Sequence, residues 1–275
     1  MQTVHRNLGA IAVLLVVAAL CPARAQFADG VAAAAAGNYA KALEAWQTAA
    51  AAGDAQAEYG LGYLYQFGLS VPADYGQALS WYGKAAAANN PDALYALGLM
   101  YESGTAGRRD LALAMENYRK AAAAGVQADA EFAIGRMILR GRGVPRNPAE
   151  AIKWFKTAAG HRQPAAAYML GEAYEQGWGV PADDGESYYW YRRAQEGDPV
   201  ELEEQDMAMQ PKIAVATVKH RLSDDEIALE EDRLKADLAM AMRAPPAVHP
   251  AAPGPSPAKP AQDAQDALTK PATSP

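Results

Sequence analysis

The side chains best suited to chemistry are few and scattered in this chain. It holds four histidines, His5, His161, His220 and His249, and one cysteine, Cys21. A catalytic or metal site needs two or three such groups to converge, and close, regular spacing is its usual sign in a sequence. No histidine here has a second ligand at such a spacing, and HExxH, CxxC, Walker, GxGxxG and GxSxG patterns are absent. Ser256-Pro257-Ala258-Lys259 has the Ser-x-x-Lys spacing in which a lysine can activate a serine nucleophile. It lies in residues 244–275, where nine of 32 residues are proline and large apolar side chains are almost lacking. Such a stretch reads as a disordered, partly polyproline-extended tail without a pocket. The expectation is therefore a chain with no catalytic residue, metal or cofactor, whose function lies in surfaces.

The other end reads as a targeting segment. His5 and Arg6 give a basic start, Leu8 to Leu20 form an uncharged apolar run, and Ala23-Arg24-Ala25 supplies small-x-small. That pattern predicts signal-peptidase cleavage between Ala25 and Gln26. The run falls short of the roughly 20 apolar residues of a comfortable membrane span. An uncleaved anchor and a lipid on Cys21 are the alternatives, and the bulky Leu20 before the cysteine argues against lipidation. Removing residues 1–25 leaves 23 basic against 32 acidic residues, a formal net charge of −9, and no cysteine for a disulfide. That balance argues against nonspecific phosphate binding.

The elements that position the surface come from an internal repeat. An apolar-Gly pair recurs at Leu61-Gly62, Leu97-Gly98, Ile134-Gly135 and Leu170-Gly171, at spacings of 36, 37 and 36. In the same register follow Tyr65, Tyr101, Ile138 and Tyr174, and then Gly68, Gly104, Gly141 and Gly177. Val-Pro comes next at 71–72, 144–145 and 180–181, but the second repeat has Gly104 to Asp110, GTAGRRD, instead. Tyr82, Tyr118, Phe155 and Tyr191 each precede an alanine by three residues. Each unit reads as two helices, the second opened by Asp74, Asp110, Asn147 or Asp183 as N-cap. Gln77, Glu150 and Glu186 three residues later predict capping boxes. The mid-helix glycines, each costing about 0.5–1 kcal/mol against alanine, predict a close helix approach. A single such hairpin leaves an apolar face bare and must stack on neighbours.

This pattern resembles the Sel1-like repeat, a relative of the tetratricopeptide repeat with a longer inter-helix loop. The resemblance implies an all-α fold, a right-handed α/α superhelical solenoid of helical hairpins. Residues 54–198 hold four units, at 54–89, 90–126, 127–162 and 163–198. Residues 26–53 read as a tetratricopeptide-like capping hairpin with Trp46 at the position of Tyr82, and 199–243 as C-terminal capping helices. There, Ser223 with Glu226 predicts another capping box. The stripe Ile227, Leu234, Leu238 and Met242 predicts a face laid on the last repeat.

The resemblance further implies that first helices line the concave surface. Tyr59, Tyr95, Phe132 and Tyr168 recur there and read either as packing or as a partly exposed aromatic stripe. Positions that differ among repeats are the candidates for recognition: Tyr63, Leu99, Arg136 and Glu172 at one register position, Gln66, Glu102 and Glu175 at another, and Arg140 beside them. The family's envelope members imply an exported scaffold that binds an envelope protein or extended peptide, with no nucleic acid and no stable membrane insertion. The rival is an enzyme or small-ligand binder of the penicillin-binding or β-lactamase-like Sel1 type, acting on cell-wall fragments. Those forms are cysteine-rich, unlike the processed chain. N-terminal sequencing of protein from its native host is expected to find Gln26 first; an intact Met1 or a lipid on Cys21 would exclude this processing.

Overall fold

The computed structural model of the chain describes residues 24–105, 107–125, 127–196 and 209–243. The leader core, the first ten residues of the predicted capping segment 199–243 and the tail at 244–275 lie outside the described residues. Among these, the secondary structure is twelve helices and no strands. α1 spans 24–35 and α2 Tyr39–Ala51. Four hairpins follow: α3 (Ala55–Phe67) with α4 (Tyr75–Ala87), α5 (Pro91–Ser103) with α6 (Leu111–Ala124), α7 (Ala128–Arg140) with α8 (Pro148–Gly160), and α9 (Pro164–Gln176) with α10 (Asp184–Gln195). α11 (Pro211–Lys219) and α12 (Asp224–Arg243) close the array. From α3 to α10 each helix packs on the helices before and after it in the chain, which makes the expected all-α solenoid.

Inside every hairpin one ring lies on bare backbone. A Cβ built on Gly62 would stand 2.5 Å from the Tyr82 ring, one on Gly98 2.4 Å from Tyr118, one on Gly135 2.6 Å from Phe155, and one on Gly171 2.5 Å from Tyr191. Real Cβ atoms do not approach so closely, so only glycine admits the ring. The exchange is favourable: about 1 kcal/mol of helix propensity is given up, while fully burying an aromatic ring gains about 2–3 kcal/mol. Each ring also packs on a first-helix aromatic, with centroids 5.6 Å apart for Tyr59–Tyr82, 5.7 Å for Tyr95–Tyr118 and Phe132–Phe155, and 5.1 Å for Tyr168–Tyr191. The recurring first-helix stripe is thus part of the packing. Ala57, Ala93, Ala130 and Ala166 are fully buried beside it.

The inter-helix turns share one construction. Gly68, Gly104, Gly141 and Gly177 end the first helices in the left-handed region, at φ of 67°, 85°, 67° and 72°. The chain then returns so that the N-cap amide of the second helix donates to a first-helix carbonyl. These bonds are Asp74 to Tyr65 at 2.8 Å, Asp110 to Tyr101 at 3.0 Å, Asn147 to Ile138 at 3.2 Å and Asp183 to Tyr174 at 2.9 Å. The second repeat makes this bond without Val-Pro. The same bond revises the predicted capping boxes. The cap side chains do accept from the amides of Gln77, Leu113, Glu150 and Glu186 at 2.9–3.2 Å. The reciprocal half is missing, because the N-cap amide that Glu150 or Glu186 would take is committed to closing the turn. Only Ser223 and Glu226, which open α12, complete the box, at 2.8 and 3.3 Å.

At the N-terminal end, Trp46 fills the position of Tyr82. It is fully buried between Gly30 and Gly60, and its Nε1 donates to the Phe27 carbonyl at 3.3 Å. At the other end, α11 and α12 pack on α10. Val218 and Leu234 are buried there, with Ile227 packed alongside the core. Ala214, Val215 and Leu222 add apolar packing, and a set of polar contacts crosses the same seam. Arg192 reaches Glu231 at 2.6 Å, Tyr188 donates to Glu231 at 2.8 Å, Tyr189 donates to Asp237, and Arg233 reaches Glu186 at 2.7 Å. The hydrogen bond to Glu231 raises the Arg192 pKa, and the same contact, largest among its causes, lowers that of Glu231.

Gly98→Leu drives a branched side chain into the Tyr118 ring and is expected to lower stability by about 1–3 kcal/mol or more, read by thermal melting. Gly83→Leu, on an open helix surface, serves as control. Equal melting of the two variants would refute the ring-on-backbone account.

Candidate interaction surface

The first helices α3, α5, α7 and α9 follow one another in chain order, and polar contacts tie α5 to α7 and α7 to α9. Gln127 Nε2 donates to Asp92 Oδ1 at 3.0 Å and Gln163 Nε2 to Asp129 Oδ1 at 3.1 Å. Gln127, which makes no side-chain cap to its own helix, gives its amide group to this link. Further along, Arg136 Nη2 meets Glu102 Oε2 at 3.1 Å, and His161 Nδ1 stands 2.8 Å from Glu131 Oε2. His161 is exposed at the end of α8, and its ring meets the buried Glu131 carboxylate.

The eight predicted recognition residues fall into two groups. Leu99 and Arg140 are exposed, and Gln66, Arg136, Glu172 and Glu175 are partly so. Tyr63 is 7% exposed and packs on Phe67, with centroids 4.6 Å apart. Glu102 is also 7% exposed. Its carboxylate accepts from the Tyr118 hydroxyl at 2.7 Å and pairs with Arg136 and with Arg142, the latter at 2.9 Å. Burial, first among its causes, raises the Tyr118 pKa, so the ring keeps its proton and remains a donor to Glu102.

The variation at Gln66, Glu102, Leu139 and Glu175 has a packing reason that the repeat register alone concealed. Tyr82 donates to Gln66 at 2.7 Å, Tyr118 to Glu102, and Tyr191 to Glu175 at 2.8 Å, always across 16 residues. Where the ring is Phe155 and has no hydroxyl, the partner is Leu139. The match of the one hydroxyl-free ring to the one apolar partner was readable in the sequence. Glu175 is further held by Arg221 of the C-terminal cap. These positions are coupled to the core, while at the other register position Leu99 is 38% exposed and Arg136 pairs with Glu102.

Among the described residues no group of three or more His, Cys, Asp or Glu side chains is placed to hold a metal, and no helix is long and apolar enough to cross a membrane. The Ser256–Lys259 pattern lies outside the described residues.

The Sel1 repeat family model matches residues 55–90, 91–126, 128–160 and 164–197, half of the chain. The chain belongs to the Sel1 repeat family. The matched units coincide with the four hairpins, and Sel1 repeats typically serve as protein–protein interaction scaffolds, generally without catalysis. A crystal structure of a Sel1 repeat protein from Oxalobacter formigenes is 33% identical, with a TM-score of 0.56, covering 64% of this chain and 72% of that one. A putative Sel1 repeat protein from Klebsiella pneumoniae is 28% identical, with a TM-score of 0.47, covering 67% and 92%. The uropathogenic Escherichia coli protective antigen c5321 is 23% identical, with a TM-score of 0.47, covering 78% and 54%. No curated protein matches.

The ring–partner coupling of these Sel1 repeats is open to a double-mutant test. Phe155→Tyr alone faces Leu139 with a hydroxyl and is expected to cost about 1–3 kcal/mol. Adding Leu139→Gln, the Gln66–Tyr82 arrangement, is expected to recover part of that loss in denaturant melts. Strict additivity of the two changes would show that the pair does not interact.

Proposed function

We propose that this chain is a non-catalytic adaptor that holds a protein partner or extended peptide along its row of first helices. The observation that carries the reading is Leu99, a leucine left 38% exposed in the middle of a helix whose other large side chains pack inward. In the same register position the neighbouring helix presents the Arg136 guanidinium and the one beyond it Glu172. An exposed aliphatic beside an arginine, with polar groups around them, has the make-up of an interface centre.

The setting we propose is the bacterial cell envelope, in the periplasm after export. Its support is the basic start, the apolar run and Ala23-Arg24-Ala25. A cut before Gln26 also spares the Phe27 carbonyl that receives the Trp46 Nε1 proton.

The test is affinity capture from the native envelope with the tagged chain as bait. Arg136 supports buried Glu102, so the variant is Leu99→Ser, at an exposed side chain. It is expected to lower partner recovery about tenfold, the loss of one anchor residue, with melting unchanged. Full recovery by this variant, with loss only on deleting residues 244–275, would move the site to the tail.

A further inference from the structure

The inter-helix turns are closed by backbone bonds, so their side chains can differ at little cost to the fold. Just before the second-helix cap stand Ala73 and Ala182 in the first and fourth repeats, but Arg109 and Arg146 in the second and third. Arg108 replaces what is Pro72, Pro145 or Pro181 elsewhere, and Arg142 replaces Leu69, Thr105 or Trp178. The turns close alike in all four repeats, so packing does not call for these arginines.

The two arginine-bearing turns lie against one another. A Cβ on Gly143 would stand 2.8 Å from that of Leu111, which places the third turn on the start of α6, directly after Arg108 and Arg109. Arg142 crosses from one turn to Glu102 at the end of α5. Arg108, Arg109 and Arg146 are exposed. Among the described residues none of these three pairs with a carboxylate; Arg146 Nε donates to the Leu139 carbonyl at 3.0 Å. Alongside runs a shallow cleft of about 430 Å³, lined by Met115, Arg119, Gly143 and Val144 among others. On a chain of formal net charge −7, this edge concentrates the minority charge.

We infer that this edge docks an acidic peptide segment of a partner protein. Its carboxylates pair with Arg108, Arg109 and Arg146, and an adjoining apolar side chain enters the cleft beside α6. Guanidinium forks match carboxylates in two-point contacts. A long polyanion fits less well, because nucleic acid or an anionic bilayer reaches past the arginines to Asp110, Glu116, Glu150 and the acidic remainder of the chain. A short segment places its carboxylates at the arginines and its apolar side chain at the cleft, whose lining includes Glu116. This surface is separate from the first-helix row and does not depend on it.

The probe is a fluorescent peptide of about ten residues, glutamates with a central leucine, followed by anisotropy against the full chain, with its glutamine counterpart as control. The glutamate peptide is expected to bind, the glutamine one not, and binding is expected to fall as salt rises. Arg108→Ala/Arg109→Ala/Arg146→Ala should weaken binding tenfold or more without lowering the melting temperature, as Ala73 and Ala182 already occupy two of the corresponding positions. Leu99→Ser should leave it as in the wild type, which separates this edge from the first-helix row. Absence of binding to the wild type, or equal binding by the triple variant, overturns the inference. So does tighter binding of a DNA duplex or phosphatidylglycerol vesicles through the same arginines.

Discussion

The structure depends on one contact made four times, an aromatic ring laid on the bare backbone of a glycine in the helix that precedes it. At Gly62, Gly98, Gly135 and Gly171 the helices of a hairpin approach within the thickness of that ring. This sets the distance between helix axes, hence where the next hairpin's alanines must fall. It also sets the direction of the ring's far edge, where Tyr82, Tyr118 and Tyr191 carry a hydroxyl to a polar side chain of the first helix. A helix with glycine at its centre is poor in isolation; it is stable here because tertiary packing outweighs propensity.

Two levels of bonding then divide the remaining work. Backbone groups close each turn, and side chains link successive hairpins through Gln127–Asp92, Gln163–Asp129 and Arg136–Glu102. Because these sets are distinct, the second repeat could replace Val-Pro with glycine and arginine and still make its closing bond between Asp110 and Tyr101. Recognition chemistry can change in the turns while the frame stays fixed.

Much of this was legible in the sequence because a repeat prints its constraints several times. Glycine, ring and cap positions declared themselves by register, as did the N-terminal hairpin around Trp46. Less was legible where one backbone group had two possible partners: the Glu150 and Glu186 capping boxes look complete until the turn claims the N-cap amide. Glu102 varies between repeats and so read as free for recognition, yet it is buried under Tyr118, Arg136 and Arg142. Its partners lie 16, 34 and 40 residues away, separations that carry no local pattern. The polar contacts of the C-terminal seam, joining residues such as Tyr188 and Glu231, were hidden for the same reason, although the apolar stripe through Ile227 and Leu234 pointed to their location.

That seam gives the fourth hairpin a neighbour unlike any repeat. A bare terminal hairpin would leave its apolar face open to water. In α10 the sequence changes character: Tyr188, Tyr189, Arg192 and Arg193 stand where α8 has Ile152, Lys153, Lys156 and Thr157. A hairpin arriving with alanine and leucine would offer Arg192 and Tyr188 no carboxylate in place of Glu231. The last helix thus carries the complement of that surface, an ionic key cut to the fourth hairpin.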